Sequence, residues 1–409
     1  MTKLLKYQKY MESVNNTPVI IKAEKLYDMI PESIKTIHSL FMKADKELYL
    51  VGGSVRDFET GDSPKDFDIA TNAMPNEVMR ILKGYRKQLQ GEAFGVVVVY
   101  TEDQPDGVEI ATFREDISKG RNPEVRLGVS IEDDVKRRDL TYNAMFYKLD
   151  TKEIIDFTGG LKDLQDGVTR MVGDPFERID EDSLRILRAF RFAARYNHKL
   201  EDRSIEAFKK RNQLENIDPD TSQLKRISSE RIYEEMQKAW GQVKDYNVYL
   251  GFFNEFDMWS QVFPGANINT NLIETDSFRV CLTNLFRNEK VNGLSTKLVS
   301  LYKIDGKTAE TIEFLLELNG LTEHNAFKLK AKLKKKNADV ENIRITDIKE
   351  WFRIEGSSDL QAKFLEYIDT PIRNWGKELI DQGWKQGQEL GQEIAKKNIE
   401  DFQSFLNNK

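Results

Sequence analysis

A pair of aspartates, Asp66 and Asp68, has the clearest chemical meaning in this sequence. If the segment around them forms a β-strand, both carboxylates project from the same face while Phe67 between them faces the core. Two neighbouring carboxylates repel each other, and a divalent cation bound between them relieves that repulsion. Taken alone, an Asp-x-Asp pair is also compatible with a strand end that is simply exposed to water.

A third acid, Glu109, occurs in the alternating segment Val108-Glu109-Ile110-Ala111. The alternation predicts a strand that turns its valine and isoleucine to the core and places Glu109, with the small Ala111, on the opposite face. On a strand next to the aspartates, this acid could complete a two-metal site. In such a site, ions about 3.5–4 Å apart activate an attacking hydroxyl group and stabilise a leaving pyrophosphate. As an isolated residue, Glu109 would be a surface acid.

A glycine pair, Gly52-Gly53, separates a predicted strand from a predicted short helix that Ser54 is expected to cap. Backbone N–H groups at such a turn can approach a triphosphate, because the start of a helix favours anionic oxygen. Arg56, one turn into the helix, can add a charge-assisted hydrogen bond. An ordinary tight turn between a strand and a helix explains the glycines equally well.

Further along the chain, four arginines recur every three or four residues, at Arg185, Arg188, Arg191 and Arg195. The spacing predicts a helix with an arginine stripe, which is either a solvated face or a binding surface. Asp182 lies one turn before Arg185, so a carboxylate acceptor and a guanidinium donor could contact one planar base. Cytosine and adenine present an amine where uracil and guanine present a carbonyl, so this pair could select C and A.

The composition limits the kinds of site that the chain can build. It has 409 residues, a net charge of -6, one cysteine and three histidines. The single Cys281 excludes an internal disulfide and a multi-cysteine zinc site, so we expect no disulfide-linked partner and a reducing, cytoplasmic setting. A metal would be held by carboxylates, which favours Mg²⁺. No apolar stretch is long enough to span a membrane, so no membrane partner is expected.

The pattern of apolar residues divides the chain into an α/β part and a helical part. Up to about residue 150, strand and helix signals alternate. From about residue 180 onward, Lys- and Glu-rich amphipathic stretches predict helices almost to the end. We predict helices over 30–45 and near 75–83, and strands over 47–51, 65–70, 95–101 and 107–113.

Three motifs in this order resemble the catalytic head of the DNA polymerase β nucleotidyltransferase superfamily: GGSVRD at 52–57, DFD at 66–68 and VEIATFR at 108–114. More closely, they resemble the class II tRNA nucleotidyltransferases (CCA-adding enzymes) and the bacterial poly(A) polymerases. The resemblance implies an α+β protein with a polymerase-β-like nucleotidyltransferase head, built of a mixed sheet with helices, and an all-helical remainder. Its parts would be the head (1–150), neck (151–215), body (216–350) and tail (351–409). Further family-like motifs are RRD at 137–139, DFTGG at 156–160, EDSLR at 181–185 and SSER at 228–231.

The resemblance also implies roles for individual residues. Asp66 and Asp68 would be catalytic and bind both Mg²⁺ ions, and Glu109 would assist the priming hydroxyl group. The remaining residues would contact the nucleotide: Gly53 and Arg56 at the glycine turn, Arg138 and Asp139 at the ribose and triphosphate, Asp182 and Arg185 at the base, and Arg188 and Arg191 at phosphates.

By the same resemblance, the activity would be template-independent addition of C and A (CCA) from CTP and ATP to the 3′ end of tRNA. The glycine-punctuated segment 376–391 resembles the family's tail, which docks the tRNA elbow. Lys328–Lys336 predicts a helical cationic run that either follows a phosphate backbone or faces water. The segment 115–123 departs from the family's loop, which helps the switch from C to A addition. The alternatives are a poly(A) polymerase, an enzyme that adds only CC or only A, and a catalytically silent RNA-binding homologue.

Overall fold

The computed structural model of the protein describes residues 17–64, 67–90, 95–118, 124–211, 215–217, 224–334 and 345–407, with the backbone alone at 215–217, 224–226 and 334. The chain divides into two compact units, Met1–Gln261 and Val262–Lys409. Every residue for which a site role is predicted lies among the described residues of the first unit, except Asp66, which lies outside them.

The described residues between 19 and 156 of the first unit contain ten strands, and eight of them form one mixed sheet. The strands are β1 (Val19–Lys22), β2 (Leu48–Val51), β3 (Asp68–Thr71), β4 (Arg86–Gln90), β5 (Val96–Tyr100), β6 (Val108–Thr112), β7 (Arg114–Asp116), β8 (Val125–Leu127), β9 (Phe146–Lys148) and β10 (Glu153–Asp156). The sheet order is β1-β10-β9-β2-β3-β6-β5-β4, while β7 and β8 form a separate ladder. Within the large sheet β3 and β6 run parallel, and the other neighbours are antiparallel.

The helices of this region connect the strands and cover the sheet. They are α1 (Glu24–Met29), α2 (Glu32–Lys43), α3 (Gly53–Glu59), α4 (Pro75–Ile81) and α5 (Ile131–Lys136). In α2 the buried side chains Ile34, Ile37 and Phe41 recur every three or four residues and form one apolar face. The predictions of this helix, of α4 and of strands β2, β5 and β6 are confirmed within two residues at each end. The sheet continues to Asp156, six residues past the boundary placed at residue 150.

Helices dominate the rest of the first unit, as the sequence predicts. They are α6 (Gly160–Asp166), α7 (Pro175–Glu181), α8 (Arg185–Tyr196), α9 (Asp202–Lys210), α10 (Ser229–Gln242), α11 (Tyr246–Glu255) and α12 (Trp259–Val262). Two short ladders accompany them. One is parallel, between β11 (Val168–Thr169) and β12 (Lys199–Leu200), and the other is antiparallel, between β13 (Glu215–Ile217) and β14 (Leu224–Arg226).

Helix α8 is the central helix of this region. Its Phe190 is fully buried, and its ring lies 5.1 Å from that of Phe252, 5.2 Å from that of Phe256 and 5.6 Å from that of Phe208. Replacing such a side chain with alanine typically costs about 3–5 kcal/mol. The aromatic cluster therefore holds the arginine-bearing helix in place against α9 and α11.

Among the described residues of the second unit, the regular secondary structure consists of helices joined by loops. Its helices are α13 (Phe278–Leu285), α14 (Leu294–Tyr302), α15 (Gly306–Glu317), α16 (Ala326–Lys334), α17 (Ile345–Glu355), α18 (Asp359–Ile368), α19 (Trp375–Asp381) and α20 (Gln388–Asn407). Helices α19 and α20 match the glycine-punctuated helix-turn-helix that the sequence predicts. No described helix combines the length and the hydropathy that crossing a membrane requires.

The lysine run at 328–336 does not form a single cationic face over its described part. Lys330 is fully buried; its Nζ donates to Thr370 Oγ1 at 2.5 Å and lies 3.7 Å from the ring centroid of Tyr367. Lys332 pairs with Glu317 at 2.5 Å. Because at least these two lysines have partners within the protein, the run offers fewer charges to a phosphate backbone than its sequence suggests.

Candidate active site

One cavity of about 640 Å³ in the first unit gathers most of the residues for which a role is predicted. Its volume lies within the usual range of small-molecule sites. Several lining residues were not predicted, among them Arg114, Asp116 and Arg137. The lining is Gly52, Gly53, Arg56, Asp68, Arg114, Asp116, Ile117, Ser118, Arg137, Arg138, Asp139, Asn143, Glu181, Asp182, Arg185, Arg188 and Phe192.

Two acids lie on adjacent strands beside this cavity, and we call Asp68 and Glu109 the acidic edge. Asp68 opens β3, and Glu109 precedes Ile110 in the parallel strand β6, where Ile110 is the register partner of Ile69. The two acids are therefore at the same level of the sheet. In β6 the burial alternates as predicted, with Val108 and Ile110 buried and Glu109 exposed. Asp68 is also exposed and lines the cavity, whereas Glu109 lies outside the lining.

The glycine turn is formed as predicted, but its cap is not the predicted one. Gly52 is the N-cap of α3 and has φ +66°, a backbone conformation that favours glycine. Ser54 is buried within the first turn, and its hydroxyl group donates to the carbonyl oxygen of Val51 at 3.4 Å. The capping prediction for Ser54 is therefore wrong, because the N-cap lies two residues earlier, at Gly52, and the helix already begins at Gly53. Gly53 opens the helix and lines the cavity.

Arg56 is held rigidly at the floor of the cavity. Its Nη2 donates to Asp57 Oδ1 at 2.7 Å, its Nε to the Tyr196 hydroxyl at 2.7 Å, and its Nη1 to Asn143 Oδ1 at 2.5 Å. Its guanidinium also lies 4.8 Å from the ring centroid of Phe192. Because Phe192 and Tyr196 belong to α8, this arginine ties the glycine turn to the arginine-bearing helix.

A second link between the sheet and α8 passes through Asp139. Its Oδ2 accepts from Arg188 Nε at 2.8 Å and Nη2 at 2.6 Å, and its Oδ1 accepts from Asn143 Nδ2 at 3.1 Å. Burial alone would raise the pKa of Asp139, but the Arg188 charge and the hydrogen bonds from Asn143, Arg188 and the Leu140 amide outweigh it and hold the pKa well below its usual range. The same pair raises the pKa of Arg188. Both groups are therefore charged and fixed in direction.

Asp134 pairs with both adjacent arginines, and no sequence motif pointed to it. Its Oδ1 accepts from Arg137 Nε at 2.9 Å and Nη2 at 2.8 Å, and its Oδ2 accepts from Arg138 Nε at 3.2 Å and Nη2 at 3.0 Å. The backbone N–H of Arg114 adds a bond at 3.1 Å. The carboxylate is buried, and the charges of Arg138 and Arg137 lower its pKa despite the opposing effect of burial. Helical spacing of three and four residues was the available signal.

Asp182 and Arg185 both line the cavity, but they do not lie one turn apart in one helix. Asp182 ends α7 with extended backbone angles, φ −152° and ψ 100°, and α8 begins at Arg185. Arg185 Nη1 donates to Glu181 at 2.7 Å, and its Nη2 donates to the Arg137 carbonyl at 2.9 Å. The carboxylate of Asp182 pairs instead with Arg231, whose Nη2 lies 2.6 Å from its Oδ2.

Arg191 lies apart from the cavity in this structure, so its predicted contact with phosphate stays a prediction. Its side chain is 5% exposed, and it lies outside the cavity lining. Its Nε donates to Glu235 at 2.5 Å and its Nη1 to Gln242 at 2.6 Å, both on α10. The four arginines of α8 thus diverge to different partners, because helix packing buries part of the stripe; the last, Arg195, reaches Asp57 at 3.2 Å.

Six charged residues of the cavity lining have partners within the protein, and we call them the paired wall. Asp139 and Arg188 pair with each other, the two preceding arginines share Asp134, and the Asp182 and Arg185 side chains each have a separate partner. The wall consists of Arg137, Arg138, Asp139, Asp182, Arg185 and Arg188.

Comparison with known proteins agrees with this geometry. Residues 48–170 match the family model described as the poly A polymerase head domain. Poly(A) polymerase I of Salmonella typhimurium is 35% identical over 250 residues, 58% of this chain and 50% of that protein. Human mitochondrial CCA tRNA nucleotidyltransferase 1 is 31% identical over 293 residues, 69% of this chain and 62% of that protein.

The chain belongs to the family of class II CCA-adding enzymes and bacterial poly(A) polymerases.

Among solved structures, the Bacillus stearothermophilus CCA-adding enzyme in complex with CTP matches with a TM-score of 0.67 and 21% identity, over 93% of this chain and 98% of that one. This likeness shows a shared fold, including the mixed-sheet head and the helices that follow it. The chain spans about half the length of the Salmonella relative. Within the family match at 48–170 lie the acidic edge, the glycine turn and the Arg137–Asp139 segment, whereas Asp182 and Arg185 come after it.

The DFTGG segment at 156–160 forms a closely packed junction in this structure. Asp156 accepts from the backbone N–H groups of Thr158 and Leu161, both at 2.9 Å. A Cβ at Gly160 would lie 2.5 Å from the Thr141 carbonyl oxygen, so only glycine fits there without a shift of the backbone. The junction therefore holds α6 against the turn at 141–143, which carries Asn143.

Proposed function

We propose that the protein is a nucleotidyltransferase that adds C and A nucleotides, without a nucleic-acid template, to the 3′ end of tRNA from CTP and ATP. One observation carries the proposal: a single cavity is lined by the first acid of β3, by the glycine turn, and by Asp182 and Arg185. A reacting nucleotide needs these three kinds of group for its α-phosphate, its triphosphate chain and its base, respectively.

In the proposed reaction, the 3′ oxygen of the RNA forms a bond to the α-phosphorus of the nucleoside triphosphate. The bond from that phosphorus to the bridging oxygen breaks, and pyrophosphate leaves with the electron pair. We assign Asp68 and Glu109 to the attacking side, where the 3′ hydroxyl group must lose its proton. The cationic side chains Arg56, Arg137 and Arg138 favour the negative charge of the triphosphate on the leaving side.

The acidic edge fits Mg²⁺, because this ion prefers carboxylate oxygens and water. Asp68 and Glu109 lie at one level on adjacent strands, and Asp66 would supply a third carboxylate from outside the described residues. Within the described part of the chain, no three His, Cys, Asp or Glu side chains gather into a group that could hold a metal ion. When bound, Mg²⁺ would supply stabilisation of the charge on the phosphate oxygens.

The choice of base is assigned to Asp182 and Arg185. A carboxylate accepts hydrogen bonds and a guanidinium only donates them. Cytosine and adenine carry an amine that donates to the carboxylate and a ring nitrogen that accepts from the guanidinium. Uracil and guanine place a carbonyl oxygen against the carboxylate, which leaves both acceptors unsatisfied and disfavours these bases.

Transfer to tRNA is placed ahead of poly(A) synthesis because α19 and α20 form the glycine-punctuated helix pair whose sequence resembles the tail of the CCA-adding enzymes. Poly(A) polymerase is the second candidate, because poly(A) polymerase I of Salmonella typhimurium is 35% identical to this chain over 250 residues. Both candidates use the same cavity and differ in the RNA that they extend.

Primer-extension assays separate these candidates. The purified protein and Mg²⁺ are incubated with tRNA transcripts that end before CCA, after C or after CC, with each nucleoside triphosphate alone and then with all four, and the product ends are sequenced. We expect addition that stops at CCA. Addition that stops at CC, or A addition only to the CC-ending transcript, would indicate a partial enzyme; long A tracts on unrelated RNA would indicate a poly(A) polymerase, and no incorporation would indicate a silent homologue.

A further inference from the structure

The carboxylate of Asp182 is bound by an arginine that lies outside the cavity lining. Arg231 donates to both of its oxygens, from Nη1 to Oδ1 at 3.2 Å and from Nη2 to Oδ2 at 2.6 Å. The backbone N–H of Leu184 also donates to Oδ1 at 3.2 Å. Asp182 lines the cavity and Arg231 does not, so the arginine contacts the carboxylate without taking a place beside the nucleotide.

The backbone at Asp182 does not restrict this carboxylate as a helix would. The residue lies in the break between α7 and α8, with an extended conformation. A side chain in a helix has its direction restricted by the preceding turn, and Asp182 lacks that restraint. Its direction therefore depends on the groups that bind the carboxylate itself, of which Arg231 supplies two of the three hydrogen bonds described above.

Arg231 lies on a helix that is bound to α8. It lies in the first turn of α10, beside the buried residues Ile232 and Tyr233. Helix α10 is bound to α8 by Arg191, which donates to Glu235 and Gln242. The arginine that was expected to bind phosphate thus holds the helix from which Arg231 reaches Asp182.

We propose that Arg231 is a positioning residue for base selection: it fixes the Asp182 carboxylate so that the remaining lone-pair site, on Oδ2, accepts the amine of cytosine or adenine. The inference rests on the proposed function. A carboxylate has about four lone-pair sites, so the three bonds leave room for the base. Without Arg231 the carboxylate can turn, and a displacement of about 1 Å is enough to weaken a positioned contact.

The other residue assigned to the base is held by groups of the opposite charge or polarity. Arg185, the donor, is held by the negative Glu181 and by the carbonyl oxygen of Arg137. Asp182, the acceptor, is held by the positive Arg231. Each side chain is therefore oriented by an opposite charge, and loss of Arg231 should affect the amine contact while leaving the guanidinium contact in place.

The test compares Arg231→Met with Lys238→Met, which makes the same charge change at an exposed residue of the same helix. For both variants and the unaltered protein, kcat/KM is measured for single-nucleotide addition from CTP, ATP, UTP and GTP. We expect the preference for CTP over UTP and for ATP over GTP to fall about tenfold or more in Arg231→Met, the size expected for a lost charged hydrogen bond, and to stay unchanged in Lys238→Met. A merely structural role would lower kcat/KM for all four nucleotides by a similar factor.

Two further variants make the result specific. Arg231→Lys keeps the charge but cannot form the bidentate pair, so it should retain only part of the preference for C and A. If thermal unfolding shows that Arg231→Met is not folded, the preference measured in Arg231→Lys tests the proposal instead. If Arg231 acts through Asp182, the double variant Asp182→Ala/Arg231→Met should have the same preference as Asp182→Ala alone.

The outcomes separate this inference from the proposed function. A C and A preference that survives in Arg231→Met, or a double variant less selective than Asp182→Ala, would overturn the inference and leave the function standing. A wild-type protein that transfers no nucleotide, or transfers all four equally, would overturn the proposed function and the inference with it.

Discussion

Asp68 of the acidic edge lines the same cavity as the paired wall, but the edge and the wall hold their charges in different ways. Asp68 and Glu109 are exposed at one level of the sheet, whereas in the wall the Asp139 and Arg185 side chains are only 11% exposed and have partners of opposite charge. An exposed acid stays accessible to a cation, while a paired charge is fixed in direction. The difference favours the proposal that the edge offers carboxylates to a cation, while the wall holds its charged groups in fixed directions.

Removing an acid from the acidic edge should have the largest effect. We expect Asp68→Ala to lower the rate of nucleotide transfer by about 10³-fold, the upper range for loss of one electrostatic contact in an active site. The melting temperature should change little, because the side chain is exposed. Single-turnover incorporation measures the rate, and Asp106→Ala, at an exposed acid of the same unit, is the control. Near-normal transfer by Asp68→Ala would contradict the catalytic role proposed for Asp68.

The second acid of the edge should matter less than the first. Glu109→Gln keeps the size of the side chain and removes its charge, and we expect transfer to fall by roughly 10²-fold if this carboxylate helps the hydroxyl group lose its proton. The matched change Glu102→Gln, at an exposed acid, should leave the rate unchanged. Equal rates for the two variants would show that Glu109 takes no part in the transfer, which would leave Asp68 and the undescribed Asp66 as the catalytic acids.

In the paired wall, the main effect should be on stability. Asp134→Asn leaves Arg137 and Arg138 without their shared counter-charge, and we expect the free energy of unfolding to fall by about 3 kcal/mol. Asp133→Asn, which breaks a pair with the exposed Lys136, should cost about 1 kcal/mol or less. Urea unfolding of both variants measures the difference. Similar losses of unfolding free energy in the two variants would show that the buried pairs of Asp134 contribute no more to stability than the exposed pair of Asp133.

The wall should also weaken in acid, which is the smallest expected effect. The pKa values of Asp134 and Asp139 are lowered in the folded protein by neighbouring arginines. The stabilisation is therefore fully present above the unfolded value of about 3.9 and is lost as the pH falls toward the folded values. We expect the free energy of unfolding to decline below about pH 4, and to decline less in Asp139→Asn. An identical pH profile for the variant would contradict the assigned pairing.

The acidic edge was predictable from the sequence, and the partners within the wall were not. Alternation in β6 and the two-residue spacing at Asp68 determine which way side chains point within one strand. The glycine turn and its helix followed from local rules as well, although the cap is Gly52 rather than Ser54. By contrast, the helix break at Asp182 interrupts a continuous helical pattern, because Asp182 adopts an extended conformation between α7 and α8.

The sequence by itself determined the order of the elements, the faces of the strands and the kinds of charge available. These follow from contacts between residues a few positions apart, which periodicity records. Only the tertiary structure decided that Arg191 reaches Glu235, 44 residues away, and that Arg231 reaches Asp182, 49 residues away. Such pairs form when segments far apart in the sequence pack side by side, and that packing is a property of the folded core rather than of any local pattern.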